Sequence, residues 1–174
     1  MNETESVPSA STPARRSFLG RVVRKIFVLS LIFLAGLIVM SMTAARPSHL
    51  GARDGRLAPV PDSPNCVSTM TENPSCGIDP VNVSGVDQPM EKLKAAIESA
   101  IPRANLVTDD GNYLHYEFTS LVFRFVDDGE FLLDEQRKVI DFRSSSRVGY
   151  SDMGANRKRM EKIRSAMEVP APPN

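Results

Sequence analysis

Residues 104–146 read ANLVTDDGNYLHYEFTSLVFRFVDDGEFLLDEQRKVIDFRSSS, and the two-residue period running through this stretch decides the fold. Ala104–Thr108 and Tyr113–Phe118 flank the turn formers Asp109-Asp110-Gly111-Asn112, which predicts a hairpin. Leu121–Val126 and Phe131–Leu133 follow as strand-like runs around Asp127-Asp128-Gly129-Glu130, a step that reads equally as a tight turn or as a bulge within a longer strand. Val139–Ser145 makes the last strand, after the polar turn Glu135-Gln136-Arg137-Lys138. Alternation sets Leu114, Tyr116 and Phe118 against His115 and Glu117, and Ile140 and Phe142 against Asp141 and Arg143, so the sheet has an apolar and a polar face. Five of the eight phenylalanines and all three tyrosines lie between Tyr113 and Tyr150, which places most of the core on the sheet.

On either side the period lengthens to that of a helix. In DQPMEKLKAAIESAIP, Asp87 is the expected cap, Pro89 suits a first turn, and Met90, Leu93, Ala96, Ile97 and Ala100 form one stripe until Pro102 ends it. Ser151 or Asp152 caps a second helix reaching Glu168, with Met160, Ile163 and Met167 on one face. Strands with a helix before and a helix after predict a two-layer α+β domain over residues 87–168, an antiparallel sheet of four to five strands. A body of roughly 80 residues is near the lower limit for an independent core.

Further upstream, Ile26–Ala45 carries no charge, and twenty residues of helix span about 30 Å, the thickness of a bilayer core. This run is longer than the apolar part of a secretory signal, so an uncleaved transmembrane signal anchor is the leading expectation; Thr43, Ala44 and Ala45 leave cleavage and release to the envelope as the alternative. Residues 1–25 hold five cations against Glu3 and Glu5, while only Arg46 follows the run nearby. The positive-inside rule then puts residues 1–25 in the cytoplasm of a bacterial inner-membrane protein and the rest in the periplasm. Residues 46–86, rich in Pro, Gly, Ser and Asp, read as an extended tether, and residues 169–174 as a frayed tail. Such a compartment permits disulfides, and Cys66 and Cys76 are the only cysteines; a bridge closing this short loop stabilises by roughly 2–3 kcal/mol. A metal site there lacks further ligands, since His49 and His115 are distant in sequence.

With 174 residues, 41% hydrophobic, the chain has no room for a large multidomain enzyme. Its 21 basic and 21 acidic side chains cancel, so the strongly basic balance of a nucleic-acid binder is missing, and no nucleic-acid partner is expected.

The strings LGARDGRLAPVPDSPNCVST (50–69), FRFVDDGEF (123–131) and above all RSSSRVGYSDMGANRKRMEKIR (143–164) resemble the family known as domain of unknown function 1499. The resemblance covers about residues 50–167 and implies an envelope or thylakoid-lumen protein without naming a mechanism. Relatives often carry another cysteine just before the Pro-Asn-Cys segment; Val60 stands near that place here, so a bridge from Cys66 must use Cys76 or another chain. Gly129 stands where a branched apolar residue is common in the family, which leaves the turn there open.

The most specific string holds the candidate ligand set: Arg143, Ser145, Arg147, Asn156 and Arg157. Arginine forks, small hydroxyls and a helix start suit a bound phosphate or carboxylate. The competing reading is internal. Asp109–Glu135 contains eight acids and one arginine, whereas Arg143–Arg164 contains seven cations against Asp152 and Glu161, so the acidic cluster Asp127, Asp128 and Glu130 could pair with the arginines. No catalytic residue is assigned. Ser144–Ser146 lack a nucleophile elbow, His115 is the lone histidine of the body, and the acidic cluster lacks the EF-hand pattern, so neither a metal nor a cofactor is assigned. The last helix, with Arg157, Lys158, Arg159, Lys162 and Arg164 opposite its apolar stripe, is read as packed on the core in preference to lying on anionic lipid.

The expectation is a membrane-anchored extracytoplasmic binding or assembly module, with a small anionic molecule or lipid headgroup as ligand. The alternatives are an envelope hydrolase or metal-assisted enzyme using the acidic cluster, and a structural partner of another membrane protein.

Overall fold

The computed structural model describes residues 14–168, so the basic segment expected at 1–25 lies partly, and the tail 169–174 wholly, outside the described residues. Helix α1, Ala14–Thr43, starts upstream of the uncharged run, because arginine and lysine are good helix formers and the cationic turn simply continues the helix. Its stretch Phe18–Ser41 is long and apolar enough to cross a membrane, and Leu29, Ile32 and Phe33 lie on its exposed surface.

The domain is built as expected, helix, antiparallel sheet, helix, with a sheet larger than the periodic runs alone suggest. The elements are β1 (Cys66–Ser68), β2 (Val81–Asn82), α2 (Pro89–Ala100), β3 (Ala104–Asp109), β4 (Tyr113–Thr119), β5 (Val126–Asp134), β6 (Val139–Ser146) and α3 (Ala155–Glu168). The strand order is β1-β6-β5-β4-β3, and β2 pairs with the same strand β6 that β1 joins. Residues 46–86 therefore contribute two short strands, and they bury Leu57, Cys66, Val67, Val81 and Val83. Strands of two and three residues are too short to carry a period, which is why only the structure reveals them.

The acidic step Asp127–Glu130 is neither a turn nor a bulge. It runs inside β5 in unbroken register, Asp127 opposite Phe118 and Ser146, Glu130 opposite His115 and Arg143. Gly129 makes this possible: the Phe118 ring lies so close that a Cβ on residue 129 would sit 2.3 Å from Cε2. The real turn lies earlier. Ser120 and Phe125 close a loop through Ser120 N to Phe125 O and Phe125 N to Ser120 Oγ, each 2.8 Å, so most of the run expected as the strand Leu121–Val126 is a hairpin tip.

Helices α2 and α3 cover one sheet face. Met90, Leu93 and Ile97 of α2 and Met160 and Ile163 of α3 pack with Leu114, Tyr116, Phe118, Phe131, Ile140 and Phe142 in a single core. Burying each of these large side chains contributes about 1.5–3 kcal/mol. Asp87 does not cap α2; Gln88 takes the cap position in a left-handed conformation (φ 49°) with no side-chain bond, and Pro89 opens the helix. Asp152 does anchor the start of α3, its carboxylate accepting from the amides of Gly154 (2.9 Å) and Asn156 (2.7 Å). The α3 stripe is core, with Met160 and Ile163 fully buried and Met167 packed against them.

Candidate functional site

Because side chains alternate, the face turned away from the helices carries the polar members of three adjacent strands: His115 and Glu117 from β4, Asp128 and Glu130 from β5, Arg143 and Ser145 from β6. The register sets Glu130 between His115 and Arg143, and Asp128 between Glu117 and Ser145. Two charge clusters result. Glu130, fully buried, accepts from Arg143 Nη1 (3.0 Å), the Tyr113 hydroxyl (2.8 Å) and the amide of Gly51 (2.7 Å). Asp128 accepts two bonds from Arg147, Nε to Oδ2 at 2.8 Å and Nη2 to Oδ1 at 2.7 Å, and lies 2.8 Å from His115 Nε2. Arg147 also donates to Glu117, which holds Arg46 on its outer side at 2.7 Å.

Burial works against the ionised form of Asp128, but the hydrogen bonds from Arg147 and His115 outweigh it and hold the carboxyl below the usual carboxylate range. Glu117 is depressed in the same way, burial opposed and exceeded by Arg147 and Arg46. Burial, then the charge and hydrogen bond of Glu130, push the Tyr113 hydroxyl well up, so it remains a proton donor to that carboxylate.

The segment after α1 folds back over this polar face. Pro47, His49, Pro59, Val60 and Pro61 form one wall of a cleft of about 460 Å³ whose other wall includes Asp128, Arg143, Ser145 and Arg147. The cleft is thus apolar and stiff on one side, charged and hydroxylated on the other. Arg143 Nη2 donates to His49 Nε2 at 3.3 Å across the gap. Its Nε is buried without a hydrogen-bond partner, an unmet donor on a guanidinium that is only 2% exposed.

The expected ligand set divides between the two faces. Arg143, Ser145 and Arg147 line the cleft, whereas Asn156 and Arg157 belong to α3 on the far side of the sheet. Asn156 is wholly buried there: it accepts from Ser144 and from Arg159 (2.7 Å), and its amide donates to Asn65 O (3.0 Å) and Ser146 Oγ (3.1 Å). Arg157 ties α3 to the cysteine loop, donating to Gly77 O (2.8 Å) and Ser75 O (3.2 Å). The acidic cluster divides as well. Asp127 points to the helix side and pairs with Arg159 at 2.6 Å, whose guanidinium stacks 4.6 Å from the Phe118 ring centroid, while Asp128 and Glu130 face the cleft side. Neighbours in a strand point to opposite faces, so these acids do not converge on one centre. Among the described residues no group of three or more His, Cys, Asp or Glu is placed to hold a metal ion.

The cysteine pair is buried and close, with the sulfurs 2.9 Å apart, longer than the about 2.05 Å of a disulfide bond. Burial, then contact with Cys76, pushes the Cys66 thiol up to about 12.

Sequence reasoning allows the 46–86 tether to lie across the domain, but it missed which face the prolines and His49 cover, because no period links residues 47–61 to the sheet. The one available signal is the spacing Pro59, Pro61, Pro64, which stiffens an extended segment. Residues 56–167 match the model of a family described as a protein of unknown function, DUF1499. No curated protein matches the chain.

Proposed function

The chain belongs to the DUF1499 family, and we propose that it is a membrane-anchored, extracytoplasmic binding module whose cleft between the proline wall and the polar sheet face takes a small anionic or lipid-headgroup ligand. The observation that carries this reading is Arg143: buried, lining the cleft and left with an unused Nε donor. A buried donor without an acceptor costs about 1–3 kcal/mol, a penalty that a phosphate or carboxylate oxygen would remove once the guanidinium turns toward the cleft. Arg147 and Ser145 on the same wall supply further donors, and the prolines opposite suit the apolar part of a lipid-like molecule.

The full chain in detergent, titrated with inorganic phosphate and with dihexanoyl phosphatidic acid, tests it. At a hundredfold excess over Kd, a ligand is expected to raise stability by about 2.7 kcal/mol, and Val60→Trp, which fills the cleft, is expected to abolish that gain. A shift with phosphatidic acid alone identifies the lipid source; no shift with either probe contradicts the reading.

The cations in the first turns of α1, Arg15, Arg16, Arg21, Arg24 and Lys25, support an orientation with the domain in the periplasm of a bacterial inner membrane. In that compartment Cys66 and Cys76 lose two electrons and two protons to an envelope thiol oxidant and form the bridge their 2.9 Å separation favours. Because both cysteines are buried away from an oxidant or alkylating agent, and burial pushes the Cys66 thiol up to about 12, oxidation is expected before folding is complete, and the reduced folded protein is expected to alkylate very slowly. Mass spectrometry of chain alkylated under denaturing conditions directly from cells is expected to show one bridge. Two alkylated cysteines would overturn the bridge, and an inactive carboxyl-terminal alkaline phosphatase fusion would overturn the compartment.

A further inference from the structure

Among the described residues outside α1, six large apolar side chains are exposed: Leu106, Leu121, Val122, Phe123, Tyr150 and Met153. Five of them leave the same end of the sheet. Leu121, Val122 and Phe123 form the tip of the β4–β5 loop, and Tyr150 and Met153 lie on the connection after β6, whose Arg147 amide bonds to Val126 O where β5 begins. At the opposite end of the sheet the turns Asp110–Asn112 and Glu135–Lys138 are polar. Single exposed apolar side chains are ordinary, but a tip 72% and 62% exposed at Leu121 and Val122 is a concentrated apolar surface.

That tip is joined to the membrane helix. Ser41, the last residue of the apolar stretch of α1, donates its hydroxyl to the carbonyl of Arg124, and Arg124 holds a left-handed backbone (φ 60°) there. The exposed apolar surface of α1 therefore continues onto the loop. Arg124 and Arg103 are exposed at its base, Arg103 O accepting from the Thr119 amide, where they match anionic lipid phosphates.

We infer that the β4–β5 loop is a second membrane contact: Leu121, Val122 and Phe123 insert into the leaflet beside the outer end of α1, with Arg124 and Arg103 at the headgroups. This fixes the domain with the 110–112 and 135–138 turns pointing away from the bilayer. It rests on the reading of α1 as a membrane anchor.

The chain has no tryptophan, so single substitutions report their own surroundings. The full chain is reconstituted in vesicles of equal parts phosphatidylcholine and phosphatidylglycerol, with and without bromine on the acyl chains. Leu31→Trp, within α1, reads the anchor; Val122→Trp and Leu121→Trp read the loop; Gln136→Trp reads the far end of the sheet. The expected result is blue-shifted emission, mostly quenched by brominated lipid, at positions 31, 121 and 122, with Gln136→Trp red-shifted and quenched by iodide in the water. Loop emission as red and as iodide-sensitive as that of Gln136→Trp, with Leu31→Trp quenched by lipid, overturns the loop contact and leaves the anchor standing. Blue-shifted loop emission indifferent to bromine means that protein covers the tip, and also overturns it. Leu31→Trp unquenched by lipid overturns the anchor, and the loop contact with it.

Discussion

Arg143→Ala is expected to destabilise the domain by about 3–5 kcal/mol, the cost of removing one partner from a buried ion pair. Glu130 is 0% exposed and would keep only the Tyr113 hydroxyl and the Gly51 amide. Two neutral donors do not offset a desolvated carboxylate. The loss belongs to the orphaned charge, so Arg143→Met combined with Glu130→Leu is expected to recover most of it. Urea melts of the full chain in detergent read both numbers. A single substitution costing under about 1 kcal/mol would show that water reaches Glu130 and that the pair behaves as a surface one. The double variant also separates stability from recognition: folded, yet without the guanidinium, it is expected to lose the phosphate response.

Gly129→Val is expected to cost about 3 kcal/mol or more, at the upper end of overpacking penalties. The new Cβ would stand 2.3 Å from Phe118 Cε2, and the ring has little freedom to move. Tyr116 lies parallel to it at 6.0 Å between centroids, and Arg159 stacks on it while paired with Asp127. Phe118→Leu in the same chain is expected to relieve part of the clash, so that the double variant loses less than the two single losses added together. Additive losses would show that β5 shifts as a unit to accept the side chain.

The same residues show how far sequence alone reaches. The hairpin at Asp109–Asn112 and the two faces of β4 and β6 follow from alternation, because one face is apolar and the other polar; that the polar face is buried as well is visible only in the structure. The loop at Leu121–Phe125 misleads for a physical reason: its apolar tip resembles a buried strand, although nothing in the domain covers it. Gly129 reads as a turn former, while its missing Cβ serves ring packing inside a strand, a pairing only tertiary structure displays. Arg143 and Arg157 share one string in sequence, yet β6 and α3 carry them to opposite sides of the sheet. The far wall of the cleft, nearly a hundred residues upstream of Arg143 at His49, has no local signal connecting it to its partner.

The account turns on an occupied cleft, and native mass spectrometry of the full chain released from its own membranes into detergent measures that most directly. The predicted spectrum holds a second species, heavier by one small phosphate- or carboxylate-bearing molecule, which disappears in Val60→Trp while the protein remains folded. A spectrum of bare protein alone, or an added mass retained unchanged in Val60→Trp, would contradict it.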